Sequence, residues 1–346
     1  MVLKGAIIGF GHIAANSHVP AYKNCSDVEI CAVCDSCVER RSINDRLLNG
    51  SRFYTSTKEL FEKEPVDFVD VATPPAMHAG FILEALSRKK HVLCEKPLVL
   101  GSKELVQIRE KIEESHCQVV TVHNWRYSPI MQEISRVVRG GRLGKPLEVE
   151  YLVTRVKPSI AVSEGDDENN WRLDPKVAGG GILVDHGWHA FYLVNEWVGE
   201  EPVALECRLE NRKFHQIPVE DTAEVLLFYA SGARARLFFT WAGKRRENVV
   251  KIRGELGSLI CPDRSIQVEN GSGSYSVKFE EALSEGSHHP EWYSGVLEEF
   301  LREVRQESFA GRNFKEAASC LNILEHCKKA YKQRGRVDIL PIFQEN

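Results

Sequence analysis

Apolar positions in the first third of the chain fall in short, almost unbroken runs: Leu3–Ile8, Val28–Cys34, Val66–Ala72, His91–Cys94 and Gln118–Val122. Runs that short, with no polar alternation, predict strands buried on both faces, as in a parallel sheet. Amphipathic stretches separate them and predict helices from the turn after Ile8 to about Lys23, over Ser56–Lys63, over Met77–Arg88 and over Ser102–Ser115. Strand–helix alternation of this kind predicts a doubly wound parallel sheet. From about Lys145 the period changes. Leu147–Val156, Val203–Arg212, Thr222–Tyr229, Ala233–Trp241, Asn248–Arg253, Ser258–Cys261, Ser265–Val268 and Ser274–Phe279 read as strands of a mainly antiparallel sheet. Turns are expected at Ser231-Gly232 and Gly271–Gly273, and amphipathic helices over Trp292–Gln306 and Phe314–Gln333 close the chain. The fold class is α/β, with a first domain over residues 1–124 and a second over 125–346.

The turn after the first run reads Gly9-Phe10-Gly11-His12-Ile13-Ala14, a G-x-G-x-x-A between a strand and a helix. One glycine permits the tight turn, the next lets backbone approach a pyrophosphate, and the small last residue lets helix and strand pack closely. The helix start then offers unpaired N–H groups to phosphate oxygens. Gly9, Phe10, Gly11, His12 and Ile13 are therefore candidates for holding a dinucleotide. Asp35 ends the second run, where a carboxylate accepts ribose hydroxyls and repels a 2′-phosphate, favouring NAD; a turn or cap role is the alternative. Arg40 and Arg41 follow closely and leave NADP open. Thr73-Pro74-Pro75, at the carboxyl end of a strand, is a stiff loop suited to lying along a flat ring. His78 begins the next helix and is either a ligand neighbour or a surface residue. Glu95-Lys96-Pro97 ends the His91–Cys94 run and puts a cation at the edge where open α/β sheets bind ligands. Lys96 is the first candidate for catalysis.

Charge and length narrow the classes. At 346 residues the chain holds two cores, and a formal net charge of −4 without a basic stripe argues against nucleic acid. No apolar run approaches the roughly 18 residues of a membrane span. Gly9, Gly11 and His12 interrupt the N-terminal run too early for a signal peptide, so a cytoplasmic protein is expected. Cys31, Cys34 and Cys37 are spaced like metal ligands. Strand alternation would send Cys31 and Cys34 to opposite faces, and buried thiols in a reducing compartment are the simpler reading.

In the second half, Gly179-Gly180-Gly181 leads into Ile182–His189 and a helix to about Val198. Asp185 and His189 are four apart, so a helix would place carboxylate and imidazole on one face, among Val184, Trp188, Phe191 and Tyr192. Such a couple poises a general base near neutral pH, the alternative being a satisfied core histidine. Trp171-Arg172 would cover a polar ligand or stand exposed. The acidic run Ser163–Asn170 reads as a solvated loop, with a lid as the lesser option, and His288-His289 as loop without metal-ligand spacing.

Together the glycine turn, Thr73-Pro74-Pro75 with His78, Glu95-Lys96-Pro97 and the glycine triplet followed by Asp185-x-Gly187-x-His189 resemble the Gfo/Idh/MocA family of NAD(P)-dependent oxidoreductases. The resemblance implies a Rossmann domain, then an α/β domain whose large open sheet packs against its mate in homodimers or homotetramers. It implies Lys96, Asp185 and His189 as catalytic group, a Lys96–Pro97 bond open to the cis form, and Glu95, Lys96 and Asn124 beside the cofactor. The implied reaction is reversible oxidation of a secondary alcohol on a sugar, cyclitol or related polyol. Asn124 and Arg126 sit where the family often contacts cofactor or substrate, Arg126 being alternatively an ion-pair partner. His186 departs from the aliphatic residue usual after the aspartate, which marks His186, with Arg126, Trp171 and Arg172, as substrate candidates. A glycoside hydrolase or lyase working by transient oxidation, and a non-catalytic sensor of dinucleotide or sugar, are the competing functions.

Overall fold

The structure, a computed structural model, describes residues 2–159, 170–285, 289–306 and 310–343. The expected acidic loop, apart from Asn170, and His288 lie outside them. The chain divides into two compact units, one holding Met1–Tyr127 and His288–Ala317, the other Ser128–Ile160, Asn170–Ser287 and Ala318–Asn346.

In the first unit, β1 (Leu3–Ile8), β2 (Val28–Cys34), β3 (Arg52–Tyr54), β4 (Phe68–Val71), β5 (His91–Cys94) and β6 (Val119–Thr121) form one parallel sheet in the order β3-β2-β1-β4-β5-β6. The strand order reverses between β1 and β4, which opens a crevice at their carboxyl ends. The crossovers are α1 (Val19–Lys23), α2 (Arg40–Leu47), α3 (Thr57–Lys63), α4 (His78–Ser87) and α5 (Ser102–Ser115). The sequence pattern placed neither β3 nor α2. Three residues are too few to show a period, and α2 buries only Asn44. Gly5 is required where it stands, since a Cβ there would lie 2.2 Å from the Phe68 ring.

In the second unit, α6 (Pro129–Arg139) leads to β7 (Pro146–Thr154), and α7 (Pro175–Ala178) precedes α8 (Trp188–Val198). Seven further strands follow: β8 (Pro202–Glu210), β9 (Thr222–Tyr229), β10 (Arg234–Thr240), β11 (Glu247–Gly254), β12 (Gly257–Pro262), β13 (Ser265–Asn270) and β14 (Gly273–Lys278). With the short β15 (Val337–Asp338) they make a nine-stranded sheet, β14-β13-β12-β11-β7-β10-β9-β8-β15. Only the β7–β10 pair is parallel. Alternation sorts its two faces as the pattern predicts. Val149, Tyr151, Val153, Leu227, Leu237, Phe239 and Ile252 are buried, and Tyr151 meets Trp197 of α8. Glu148, Glu150, Arg236, Lys251 and Arg253 point the other way and pair across strands.

The closing helices are α9 (Pro290–Val304) and α10 (Arg312–Gln333). Although expected in the second domain, α9 packs into the first core. Tyr293, Val296, Leu297, Phe300 and Leu301 form one buried stripe there, and Phe300 lies 5.1 Å from Phe68 between ring centroids. Among the described residues no helix is long and apolar enough to cross a membrane.

Candidate active site

The crevice of the first unit is built around the glycine turn. Gly9 has φ +90, and a Cβ on it would fall 2.7 Å from Thr73 Cγ2 and 2.9 Å from the Ala72 carbonyl. A Cβ on Gly11 would meet nothing within 4 Å, so one glycine is needed by the protein and the other faces open space. Past the turn the helix begins with a π-helical turn, Ala14–His18, before continuing as α1. Asn16 braces it by donating to the His12 carbonyl at 2.9 Å. Ile13 is half-buried beside it.

Asp35 accepts from the Phe10 N–H at 2.6 Å and the Cys37 N–H at 2.8 Å, one on each oxygen. The turn role left open above is thus present, and each oxygen retains a second lone pair for a ribose hydroxyl. Arg40 opens α2, while Arg41 lies over Phe53 at 5.2 Å. The Thr73 hydroxyl oxygen is buried with no described protein partner, and Pro74 leads into a single 3-10 turn. An open glycine edge, a helix start and an orphaned hydroxyl in one crevice fit the phosphates and nicotinamide half of a dinucleotide.

Two expected ligand neighbours are committed to the protein. His78 is fully buried, not a surface residue, and its nitrogens meet the Pro97 carbonyl at 2.9 Å and the Thr73 carbonyl at 2.8 Å. It therefore ties two loops together instead of facing a ligand. Burial holds it below the usual histidine range, against the raising effect of those two carbonyls. Arg126 pairs with Glu316 at 2.8 Å and Glu299 at 3.6 Å, the structural alternative named for it. Burial would raise Glu316, but His123, Arg126 and Arg312 bring it down to about 2. Asn124 begins that same turn and is buried.

Glu95-Lys96-Pro97 follows β5, with the Lys96–Pro97 bond cis. Glu95 accepts from the Lys96 N–H at 3.1 Å and, on its other oxygen, meets His18 Nε2 at 3.2 Å. His18 Nδ1 in turn meets Asp70 at 2.8 Å. No motif marks this chain, but one signal for it lies in the sequence: Asp70 is the one charge inside β4, and a carboxylate buried on both faces demands partners.

In the second unit, the segment Leu183–Gly187 is π-helical, where a plain α-helix was expected, and α8 starts only at Trp188. The glycine triplet has a specific cause. A Cβ on Gly181 would lie 2.0 Å from the Glu220 carbonyl oxygen, so only glycine lets this backbone pass. The Glu220 carboxylate then accepts from the Gly181 N–H at 2.9 Å and the Leu183 N–H at 3.1 Å, capping the turn. Burial raises its pKa even so. Nothing near Glu220 in sequence announces this role.

Asp185 accepts from Ser159 Oγ at 2.6 Å, lies 3.1 Å from His186 Nδ1, and has Arg172 at 3.9 Å. Arg172 stacks on Trp171 at 4.6 Å, so the pair expected to cover a ligand leans toward the carboxylate. His189 is buried, its Nδ1 meeting the Tyr192 hydroxyl at 3.1 Å, among buried Val184, Trp188 and Phe191. Asp185 thus has an imidazole, His186, and a guanidinium, Arg172, beside it, with the buried His189 on the helix that follows, groups able to hydrogen-bond a polyol and accept a proton.

Residues 3–123 match the model of an oxidoreductase family with an NAD-binding Rossmann fold, and residues 131–260 match the GFO/IDH/MocA C-terminal domain. D-apiose dehydrogenase of Paraburkholderia graminis is 24% identical over 78% of this chain and 71% of its own. A 1,5-anhydro-D-fructose reductase of Ensifer adhaerens is 25% identical over 67% of each. An Agrobacterium radiobacter oxidoreductase solved with NAD+, L-tartaric acid and magnesium superposes with TM-score 0.85 at 21% identity, over 98% of both chains, a likeness of fold.

Proposed function

The chain belongs to the GFO/IDH/MocA family of NAD-binding oxidoreductases, and on that premise we propose that it oxidises, or forms by reduction, a secondary alcohol of a sugar, cyclitol or related polyol. The observation that carries this is the Glu95-Lys96-Pro97 turn at the carboxyl end of β5, in the sheet whose crevice fits the dinucleotide. Relatives named for D-apiose and 1,5-anhydro-D-fructose support the substrate class. When bound, NAD supplies the hydride acceptor. The Lys96 ammonium stabilises the charge that develops on the substrate oxygen. His189, held at Nδ1 by Tyr192, accepts the hydroxyl proton, and Asp185, held by Ser159, orients the polyol. His186 and Arg172 both lie beside Asp185 in the second unit and offer further polar partners to a polyol. Asp35 favours NAD over NADP.

Nicotinamide reduction across a panel of sugars, inositols and sugar acids, with NAD and then NADP, tests the reading. Turnover of at least one polyol, reduced by roughly 100-fold or more in Lys96→Met, is expected. Wild-type rates in Lys96→Met, or no reduction with any polyol, would remove it. We further propose a cytoplasmic homo-oligomer assembled through the open sheet face.

A further inference from the structure

We propose that His18 is a positioning residue for Lys96: a buried imidazolium clamped between Asp70 and Glu95 that fixes the turn carrying the lysine. This rests on the assignment of Lys96 above. Within β4, Asp70 is wholly buried between apolar neighbours. An ionised carboxylate there is costly unless several donors converge on it. Three converge on its Oδ2: His18 Nδ1 at 2.8 Å, the Tyr22 hydroxyl at 3.0 Å and the Tyr293 hydroxyl at 3.0 Å.

The other imidazole nitrogen then decides the charge of the ring. His18 Nε2 faces Glu95 Oε1 at 3.2 Å, so both nitrogens meet carboxylate oxygens. A neutral imidazole has one N–H and satisfies one of them; the doubly protonated ring satisfies both. Tyr293 stacks flat on the ring, 3.9 Å between centroids and 16° from parallel, presenting its π face to the cation. Burial opposes this charge, but Asp70 and then Glu95 outweigh it and lift His18 to about 9. Burial likewise opposes ionisation of Glu95, and His18 with Lys96 overcomes it and lowers the carboxyl.

Formal charges on Asp70, His18, Glu95 and Lys96 sum to zero. The imidazolium is what allows Glu95 to remain a carboxylate on the lysine's own turn while a second carboxylate lies behind it. The groups facing His18 are Asp70 from β4, Glu95 just after β5 and Tyr293 from α9, while Tyr22 of α1 meets the same Asp70 oxygen. His18 itself closes the π-helical turn after the glycine loop, so the chain Asp70–His18–Glu95–Lys96 links three segments that border the crevice.

A purely structural network and a positioning one differ in kinetics. His18→Gln keeps a donor and the approximate volume but removes the charge. Positioning predicts that kcat falls roughly 10- to 100-fold with KM for NAD changed less than about twofold, and that any limb of the wild-type kcat–pH profile near pH 9 disappears. Glu95→Gln, which leaves His18 and Asp70 in place, should reproduce the loss of kcat if His18→Gln does not fold. In the double variant the two losses should not add, since both cut one chain. Wild-type kcat and pH profile in folded His18→Gln, or in Glu95→Gln, would overturn the proposal. So would a loss confined to KM for NAD, which would make the network a cofactor support. Lys96→Met run alongside separates the two readings. If it is active, the assignment of Lys96 fails; if it is dead while His18→Gln is normal, only the role of His18 fails.

Discussion

The sequence assigns Gly9 to the tight turn and Gly11 to the approach of a pyrophosphate, and the structure makes different demands of the two. At Gly9 a side chain would combine a left-handed φ of +90 with a clash against Thr73 and Ala72, so Gly9→Ala should cost on the order of 2 kcal/mol or more. At Gly11 a Cβ meets only open space, so Gly11→Ala should keep the wild-type melting temperature while weakening NAD binding by roughly tenfold. Thermal melts with NAD titration check both; equal losses of stability would refute the distinction. Spacing made the pair legible, because turn geometry is local. Glu220 was not legible, because its partners Gly181 and Leu183 lie 39 and 37 residues away. Buried histidines also set the pH range. Folding depresses His78 and His123, so unfolded chains bind more protons and stability falls as pH drops through about 6.5. His18 has the opposite sign: its contribution is complete below 6.5 and lost as pH rises through about 9. Denaturation from pH 5 to 10 should therefore show stability falling at both ends, with the alkaline fall reduced in His18→Gln.

Among the elements, hydrophobic period identified the long strands and most of the helices; it missed the three-residue β3 and the π pitch of two turns, and it also left the helices α2 and α6 unplaced. The edge strand β3 has three residues, and the π-helical turns at Ala14–His18 and Leu183–Gly187 keep an apolar pattern close to that of an α-helix. Both π-turns carry site candidates or their supports, His18 in one and Asp185 with His186 in the other, as single-turn π-helices often do. A period also cannot say which core a stripe will join. Tyr293, Val296, Leu297, Phe300 and Leu301 read correctly as one helix face, but nothing local assigned that face to the parallel sheet. Phe300 is fully buried against Phe68. Phe300→Ala should cost about 3–5 kcal/mol, measured by urea unfolding. A loss below about 1 kcal/mol would mean that α9 does not hold the first core together.

At the scale of the whole molecule, the open face of the nine-stranded sheet bears on assembly. Its rows alternate charge with large apolar side chains. Val249, Leu152 and Phe238 stand side by side across β11, β7 and β10, and Lys251, Glu150, Arg236 and Leu226 form the next row. The cross-strand ion pairs are exposed and worth only about 0–1 kcal/mol each. Phe228 and Phe238 are half-buried, with Arg336 over one at 4.3 Å and Arg212 over the other at 5.5 Å. Guanidinium stems laid over aromatic rings keep the face soluble yet leave flat apolar area for a second copy to cover. A two-fold axis through the face would set each row against its own reverse, placing arginines opposite glutamates. Light scattering should then give at least twice the 39.2 kDa chain mass. Phe238→Glu, which puts a second charge beside Glu224 at the end of the apolar row, should return the protein to that single-chain mass with its melting temperature for the isolated chain little changed. A monomeric wild type, or an oligomer indifferent to Phe238→Glu, would leave this face to solvent and move any assembly elsewhere.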